Sequence, residues 1–233
     1  MTKERVLITG GGSGIGAAIA ASCRKKGFET IILDQQNADI LVDLSDTDAT
    51  QEALEKALSQ GSITRLVNNV GMVAPASIEA QTLEQFDQVM ALNTRCALQC
   101  IQAVIPCMKS VGFGRIVNIS SRAALGKSFR IAYASSKAAL VGMTRVAALE
   151  LGEFGITVNA IGPGPIETEL FKQANPVDLP MTQQILNSIP VKKFGQPNDI
   201  AHACDFFLDE KSSFVTGQIL YVCGGMTIGV NGI

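Results

Sequence analysis

The sequence predicts an α/β fold, a Rossmann-type doubly wound parallel sheet of about seven strands with helices on both faces. Short runs of β-branched or apolar residues alternate with longer helical stretches along the whole chain, and this alternation is typical of a parallel sheet covered on both sides. A glycine-rich turn joins the first strand to the first helix, as expected for this architecture. With 233 residues, 47% of them hydrophobic, the chain suits one domain spanning residues 1–233.

Seven predicted strands are bounded by glycine or polar residues: Arg5–Thr9, Thr30–Asp34, Ile40–Val42, Arg65–Asn68, Arg115–Ser120, Thr157–Ile161 and Gln218–Val222. Five helices are predicted between them: Ile15–Lys26, Ala49–Ser59, Leu83–Met108, Ala134–Phe154 and Pro197–Leu208. The segment Gly162–Pro190 contains five prolines and cannot form one continuous helix. A long irregular insert of this kind is typical of a functional lid, so we predict a substrate lid at about residues 162–195.

Composition argues against several classes of function. The net charge is −2 and no run of lysine or arginine suggests a nucleic-acid groove or a membrane surface, so neither is an expected partner. The six cysteines form no CxxC pattern and His202 is the only histidine. These counts argue against a metal site and a disulfide framework, and they favour a reducing, cytoplasmic compartment. The expected partner is therefore a small-molecule substrate.

The turn Thr9–Gly16, with the sequence Thr-Gly-Gly-Gly-Ser-Gly-Ile-Gly, is a candidate phosphate site. Its glycines let the backbone approach a ligand closely, and the N-terminus of the following helix favours an anion. A tight turn without a ligand is the alternative. Asp34 ends the second strand, where an acid can bind both ribose hydroxyls of a dinucleotide. It would repel a 2′-phosphate, and no arginine or lysine in the turn or in residues 35–39 offsets this, so NAD is predicted over NADP.

Tyr133 and Lys137 are four residues apart at the start of a predicted helix, so their side chains are neighbours on one face. A phenol has a pKa of about 10, and a nearby cation lowers it, which makes general acid–base catalysis possible near neutral pH. An exposed tyrosine beside a solvated lysine is the alternative. The preceding strand delivers Ser120 and Ser121 at its carboxyl end, where open α/β sheets bind ligands. A hydroxyl there could hold a substrate oxygen beside Tyr133.

Together these features resemble the short-chain dehydrogenase/reductase family, in its compact single-domain branch. The resemblance extends along nearly the whole chain and includes several separate motifs. Thr9–Gly16 resembles the TGxxxGxG turn, Asn68-Asn69-Val70-Gly71 the NNAG segment, Asn93 the helix asparagine, Tyr133 with Lys137 the YxxxK motif, Pro163-Gly164 with Thr168 the segment over the nicotinamide, and Gly217-Gln218 with Gly224-Gly225 the C-terminal strand region.

The resemblance implies a role for each matching residue. Tyr133 is implied as the general acid–base, and Lys137 as the residue that binds the nicotinamide ribose and lowers the pKa of Tyr133. Asn93 is implied to kink its helix and to hold a water linked to Lys137.

The family serine is ambiguous in this sequence. Counting from the strand residue Asn118 gives Ser121, whereas counting back from Tyr133 gives Ser120. We prefer Ser121, because the position in the strand fixes the direction of the side chain. The expected catalytic set is then Asn93, Ser121, Tyr133 and Lys137.

The resemblance also implies a set of cofactor contacts. Asp43 and Leu44 are expected beside the adenine, and Ile166 and Thr168 at the carboxamide. Besides Tyr133 and Lys137, the full set is Gly10, Gly12, Ser13, Gly14, Ile15, Gly16, Asp34, Asp43, Leu44, Asn69, Val70, Gly71, Pro163, Gly164, Ile166 and Thr168.

The implied activity is NAD-dependent hydride transfer between nicotinamide and a secondary alcohol or ketone. A 3-oxoacyl-thioester reductase is one alternative, although that reductase usually uses NADP(H), which Asp34 disfavours. A non-catalytic cofactor-sensing protein is a second alternative, and the intact catalytic set argues against it. The family habit is a homotetramer, and assembly is expected through the helices Leu83–Met108 and Ala134–Phe154.

Two features depart from the family pattern. The segment between Asp34 and Ile40 is too short for the helix that relatives usually place there, which would leave the adenosine end more exposed. Cys223 stands where the family often has aspartate.

The walls expected around the substrate are largely apolar and favour a hydrophobic alcohol or ketone. Arg122 and Arg130 lie among them and either attract a carboxylate or phosphate or are solvated. The expected walls are Met72–Ala74, Ser121–Leu125, Phe129, Pro165 and the lid residues Thr168–Pro190.

Overall fold

The computed structural model describes residues 4–229, which form one sheet of seven parallel strands. The strands are β1 (Arg5–Thr9), β2 (Glu29–Asp34), β3 (Ile40–Leu41), β4 (Arg65–Asn68), β5 (Gly114–Ile119), β6 (Ile156–Pro163) and β7 (Ile219–Val222). Their order across the sheet is β3-β2-β1-β4-β5-β6-β7, and every neighbouring pair is parallel. The predicted doubly wound α/β fold is therefore confirmed.

Helices cover both faces of the sheet, and each face has its own core. Within residues 4–229 they are α1 (Gly14–Lys25), α2 (Thr47–Ser59), α3 (Leu83–Met90), α4 (Cys96–Val111), α5 (Ile131–Leu151), α6 (Glu169–Ala174), α7 (Pro180–Ser188) and α8 (Pro197–Leu208). Leu7 packs into the core under α2, α4 and α5, whereas Val6 and Ile8 pack into the core under α1 and α8. Successive residues of a strand point to opposite faces, so β1 contributes to both cores.

The predicted single helix Leu83–Met108 is interrupted in the structure. Helix α3 ends at Met90, and residues Ala91–Arg95 form a π-helical turn before α4 begins. The cause lies in Asn93, whose amide is hydrogen-bonded to the backbone nitrogen and oxygen of Met72 at 2.8 and 3.0 Å. The stretch Leu83–Met108 is therefore not one continuous α-helix, and its interruption lies at Asn93, where the family resemblance implies a kink. Such π-helical turns often mark functional sites.

Two other segments differ in detail from the sequence pattern. Helix α5 begins at Ile131, before the predicted start. Its N-cap residue Arg130 makes no side-chain capping bond, so the sequence has no capping signal for this start. The sequence predicts that the segment Gly162–Pro190 cannot be one continuous helix, and in the structure it contains the separate helices α6 and α7. The function of this segment as a lid stays a prediction. The assembly of the chain into a homotetramer also stays a prediction. None of the helices between residues 4 and 229 is long and apolar enough to cross a membrane.

Two buried arginines lie at the amino-terminal ends of β4 and β5 and bind the chain that follows α8. Arg65 and Arg115 are 1% and 2% exposed, and their guanidinium carbons lie 4.9 and 4.4 Å from the ring centroid of Phe113. Arg65 Nε donates to the carbonyl of Leu208 at 2.9 Å. Arg115 donates to both carbonyls of Asp209–Glu210, at 3.1 and 2.9 Å. The arginines therefore anchor the chain that follows α8 beneath the sheet.

The Arg115→Met variant should lower the free energy of unfolding by about 3 kcal/mol, because it removes the buried donor of several hydrogen bonds to half-buried backbone carbonyls. Urea denaturation followed by circular dichroism measures the change. The control is Arg145→Met at an exposed position of α5, where a change within about 0.5 kcal/mol is expected. A loss of less than about 1 kcal/mol for Arg115→Met would contradict the anchoring role.

Candidate active site

Hydrogen bonds join the turn after β1 to the turn after β4 at the carboxyl edge of the sheet. Thr9 is fully buried, and its Oγ1 accepts from the backbone N–H groups of Asn69 and Val70 at 3.0 and 3.2 Å. The side-chain amide of Asn69 donates to the carbonyls of Thr9 and Gly10 at 3.1 and 2.8 Å. Asn69, which the sequence predicts as a cofactor contact, therefore holds the glycine-rich turn in place with its side chain.

The glycine-rich turn leaves no space for a side chain at two of its positions. A Cβ atom at Gly16 would lie 2.0 Å from the carbonyl oxygen of Gly10, and one at Gly12 would lie 2.2 Å from that of Gln36. Helix α1 therefore starts directly against β1, and its N-cap residue Ser13 is exposed and makes no capping bond. Unoccupied N–H groups at a helix N-terminus favour an anion, so these residues fit the pyrophosphate of a dinucleotide.

The carboxylate of Asp34 faces the same turn. Its Oδ2 accepts from the N–H of Gly12 at 2.9 Å, and its Oδ1 accepts from the N–H of Gln35 at 2.7 Å. Residues 35–39 contain no helix, as predicted. They do not leave this end fully open, however, because they fold onto Gly12, where the amide of Asn37 donates to its carbonyl at 3.4 Å.

The residues predicted beside the adenine differ in their environment. Asp43 is exposed, and its Oδ1 accepts from the hydroxyl and the N–H of Ser45 at 2.7 and 2.9 Å. These bonds lower the pKa of Asp43. Leu44 is 2% exposed and packs in the core under α2. Only the main chain of Leu44 is therefore available to a ligand, and its place beside the adenine stays a prediction.

Asn93 links the loop after β4 to the start of α5. Besides its two bonds to Met72, its Nδ2 donates to Ser136 Oγ at 3.0 Å. Ser136 Oγ in turn donates to the carbonyl of Tyr133 at 2.8 Å. The sequence analysis does not identify Ser136 as part of the site, and its place between Tyr133 and Lys137 is the only signal for it.

Lys137 is buried beneath this network, with 3% of its surface exposed. Its Nζ donates to the carbonyl of Ile119, the last residue of β5, at 2.8 Å. A Cβ atom at Gly71 would lie 3.1 Å from Lys137 Nζ and 3.2 Å from Asn93 Oδ1, so the absence of a side chain there keeps the ammonium group accessible. Burial lowers the pKa of Lys137 to about 8.

Tyr133 is half-buried in the first turn of α5. Burial raises the pKa of its hydroxyl, while a hydrogen-bonding interaction with the Ser121 side chain and the charge of Arg130 lower it. The sequence predicts a lowered pKa caused by Lys137, and this direction is wrong for the structure. Burial outweighs the opposing effects, and Lys137 Nζ is hydrogen-bonded to β5 and lies 5.8 Å from the centroid of the Tyr133 ring.

The two candidate serines have different surroundings. Ser120 is 2% exposed, and its hydroxyl donates to the carbonyl of Lys137 at 2.7 Å. Ser121 is half-buried, accepts from the N–H of Ala123 at 3.1 Å, and interacts with the Tyr133 hydroxyl. The structure thus brings Ser121 to Tyr133 and uses Ser120 to hold α5 against β5.

The segment after β6 passes across the glycine-rich turn. The methyl carbon of Thr168 lies 3.2 Å from the position of a Cβ atom at Gly14, and the Thr168 hydroxyl caps α6. Ile166 is 6% exposed and belongs to the core, so its main chain is what faces the site. A Cβ atom at Gly164 would lie 2.7 Å from Cys223 Cα. The backbone after β7 therefore packs directly against the backbone of this segment.

Two of the predicted substrate walls are neighbours in the structure. The N–H of Ala76 donates to the carbonyl of Phe129 at 3.2 Å, and this contact joins the loop after β4 to the segment before α5. Large apolar side chains on these walls and on the lid are exposed, namely Val73, Leu125, Phe129 and Leu170. The mouth of the site is therefore an apolar surface.

A buried chain of polar side chains connects the central strands to α5. Asn68 Nδ2 donates to Asn118 Oδ1 at 2.8 Å, and Asn118 Nδ2 donates to Thr144 Oγ1 at 2.9 Å. All three residues are buried. No sequence motif predicts that these three side chains are hydrogen-bonded to one another. The signal that could have identified them is the presence of asparagines in otherwise apolar strands.

Known proteins resemble this chain along almost its full length. A family model described as enoyl-(acyl carrier protein) reductase matches residues 10–227. The (2S)-[(R)-hydroxy(phenyl)methyl]succinyl-CoA dehydrogenase subunit BbsD of Thauera aromatica is 35% identical over 240 residues, which cover 95% of this chain and 96% of that protein. The 3-oxoacyl-[acyl-carrier-protein] reductase FabG of Staphylococcus epidermidis is 31% identical over 244 residues, which cover 96% and 99%.

Solved structures show the same fold. The aldohexose dehydrogenase of Thermoplasma acidophilum, in ligand-free form, superposes with a TM-score of 0.91 at 29% identity, covering 99% of this chain and 96% of that one. A blue fluorescent protein from a metagenomic library, in complex with NADPH, superposes with a TM-score of 0.88 at 32% identity, covering 96% and 98%. The chain therefore belongs to the short-chain dehydrogenase/reductase family of oxidoreductases, which use a nicotinamide cofactor.

Proposed function

We propose that this protein catalyses NAD(H)-dependent hydride transfer between nicotinamide and a secondary alcohol or ketone. The observation that carries the proposal is the placement of Tyr133 and Lys137 in the first turns of α5, with Lys137 Nζ bonded to the carboxyl end of β5 and Ser121 close enough to Tyr133 to lower its pKa. These side chains lie at the same carboxyl edge of the sheet as a glycine-rich turn that fits a dinucleotide phosphate. When bound, the nicotinamide supplies or accepts the hydride, and the protein supplies orientation and the proton.

The proton moves through Tyr133. In reduction its hydroxyl donates a proton to the carbonyl oxygen of the substrate, and in oxidation the phenolate accepts one from the alcohol. Ser121 donates a hydrogen bond to the same oxygen and stabilises the charge that develops there. Because burial raises the pKa of Tyr133, its hydroxyl carries the proton at neutral pH, which suits reduction. The positive charge of Arg130 favours the phenolate that oxidation needs.

The proposed preference for NAD rests on Asp34. Both of its carboxylate oxygens are held at the glycine-rich turn by backbone N–H groups, in the position where an acid binds ribose hydroxyls and repels a 2′-phosphate. Some relatives bind the phosphorylated cofactor, as the NADPH complex and a structure from Beutenbergia cavernae with bound NADP show for those proteins. The cofactor preference is therefore a property to test on this chain.

A 3-oxoacyl-thioester reductase is the second candidate function. The chain is 31% identical to one 3-oxoacyl-[acyl-carrier-protein] reductase and 32% identical to another, which is compatible with this reaction. The same three side chains would perform that reaction, because it is also the reduction of a ketone. The two candidates differ in the substrate and not in the chemistry at Tyr133.

The Tyr133→Phe variant should lower kcat by about 10³-fold, because the ring remains while the proton donor is lost. Stopped assays with a panel of alcohols, hydroxy acids and acyl thioesters measure turnover, and the change in NADH fluorescence on binding measures cofactor binding. Binding should be unchanged. The matched control Tyr221→Phe, which alters the other tyrosine, should keep full activity. An inactive wild type that still binds NADH would support the cofactor-sensing alternative.

The Ser121→Ala variant should lower kcat/KM by about 10²-fold, because one hydrogen bond to the developing oxyanion is lost. Ser120→Ala should instead lower the free energy of unfolding by about 1 kcal/mol, since the carbonyl of Lys137 loses its donor. Steady-state kinetics and urea denaturation of both variants separate the two roles. Loss of activity in Ser120→Ala alone, with unchanged stability, would show that the assignment of Ser121 is wrong.

The wild type should have a higher kcat/KM with NAD(H) than with NADP(H). Asp34→Asn should reduce this ratio by about 10–100-fold, the effect of losing a charged hydrogen-bond acceptor. Asp39→Asn is the matched control in the same short connection, because its amide oxygen can still accept from the N–H of Ile32, and its ratio should not change. A wild type with the higher kcat/KM for NADP(H) would refute the proposed preference.

A further inference from the structure

A cluster of positive charge lies between the two reacting hydroxyls in the sequence. The residues Arg122–Arg130, here called the basic segment, connect Ser121 to the start of α5 and contain Arg122, Lys127 and Arg130 but no acidic residue. Within residues 4–229, none of these three cations forms an ion pair with a carboxylate. Arg130 donates a hydrogen bond to the carbonyl of Phe129 at 2.8 Å, but no carboxylate in the described residues neutralises the charge of any of the three cations.

The cations also stand at the unfavourable end of a long helix. Arg130 is the N-cap residue of α5, whose first turn contains no acidic residue. The N-terminus of a helix is the positive end of its dipole, where anions are stabilised and cations are not. Arg130 therefore stands at a helix end whose dipole favours an anion.

The three charges act on one another and on the reacting hydroxyl. Burial lowers the pKa of Lys127, and the charges of Arg130 and Arg122 lower it further. Arg130 also lowers the pKa of Tyr133. Ser121 directly precedes the basic segment and Tyr133 follows it by three residues, in the first turn of α5, so the cations lie beside both reacting hydroxyls along the chain.

Apolar side chains alternate with the cations in the basic segment. Leu125 and Phe129 are 62% and 64% exposed. Phe129 has a φ angle of +60°, in the left-handed region that a bulky residue rarely adopts and that often marks functional sites. The segment therefore offers hydrocarbon surface and positive charge side by side.

We propose that the substrate carries an anionic group, a carboxylate or a phosphate, which the basic segment binds while the reacting carbonyl oxygen faces Ser121 and Tyr133. The proposal rests on the proposed function and extends it to a substrate class, namely amphipathic anionic ketones and the corresponding alcohols. The exposed apolar side chains cover the hydrocarbon portion of such a substrate. Charge-assisted hydrogen bonds from the arginines bind its anionic group.

Matched pairs of ketones test the proposal and distinguish the two anions. The carboxylate pair is 4-oxopentanoate and its methyl ester, and the phosphate pair is acetoacetyl-CoA and acetoacetyl-N-acetylcysteamine, each assayed with NADH. In at least one pair the wild type should favour the anionic member by about tenfold or more in kcat/KM, the effect of one charge-assisted hydrogen bond. The triple variant Arg122→Gln, Lys127→Gln, Arg130→Gln should lose this preference, mainly through KM.

A second triple variant controls for the change in net charge. Lys25→Gln, Lys56→Gln and Lys211→Gln removes three exposed lysines elsewhere on the chain and should keep the wild-type preference. Thermal unfolding shows whether the basic segment has a structural role instead: the Tm of the first triple variant should be equal to or higher than that of the wild type. Equal rates for both members of each pair, or a preference that survives in the first triple variant, would overturn the proposal and leave the proposed function intact.

Calorimetry gives a measurement that does not depend on turnover. Titration of the protein–NAD⁺ complex, in which a ketone cannot be reduced, with 4-oxopentanoate and with coenzyme A should show binding of at least one of them, reduced about tenfold or more in the first triple variant. If no ketone is reduced, the proposed function fails, and the calorimetric result alone decides the anion site. Binding that is absent, or equal in the wild type and the first triple variant, would overturn it.

Discussion

The buried ammonium group of Lys137 is the constraint on which the geometry of the active site depends. Burial penalises the charged form of this lysine and lowers its pKa to about 8. The unfolded chain therefore binds more protons than the folded chain between about pH 8 and the ordinary pKa of a lysine. This lysine therefore makes stability rise with pH across that window and costs stability below it. The compensation is local: the Ile119 carbonyl accepts from its Nζ, the hydroxyl of Ser120 donates to its backbone oxygen, and Gly71 leaves space beside it.

The two edges of the sheet divide stability and function between them. At the amino-terminal edge, Arg65 and Arg115 satisfy backbone carbonyls and pack against Phe113, so their charges are fully used within the fold. At the carboxyl edge, hydrogen bonds hold Asn69, Asn93 and Lys137 in position, while the N-terminus of α1 and the hydroxyl of Tyr133 remain able to bind a ligand. Parallel strands explain this division, because all their carboxyl ends meet at one edge.

Patterns that repeat or have a fixed spacing could be predicted from the sequence. Strand-helix alternation predicts the sheet, and the spacing of Tyr133 and Lys137 predicts their shared helix face. Features that depend on packing could not be predicted in this way. The π-helical turn at Asn93 arises from bonds to Met72, a residue distant in the chain, and periodicity within one helix carries no trace of it. The Leu44 side chain and the raised pKa of Tyr133 likewise depend on burial, which spacing alone does not reveal.

The balance of charge around Tyr133 connects substrate binding to the direction of proton transfer. Burial raises the pKa of its hydroxyl, and the positive charge of Arg130 lowers it. An anion bound to the basic segment would offset part of that positive charge, so the pKa of Tyr133 would rise further. A hydroxyl with a higher pKa keeps its proton until the carbonyl oxygen of the substrate gains negative charge. When an anionic ketone binds, Tyr133 would thus be in the protonated state that the reduction of that ketone requires. In the free enzyme, the charge of Arg130 still favours the phenolate of Tyr133.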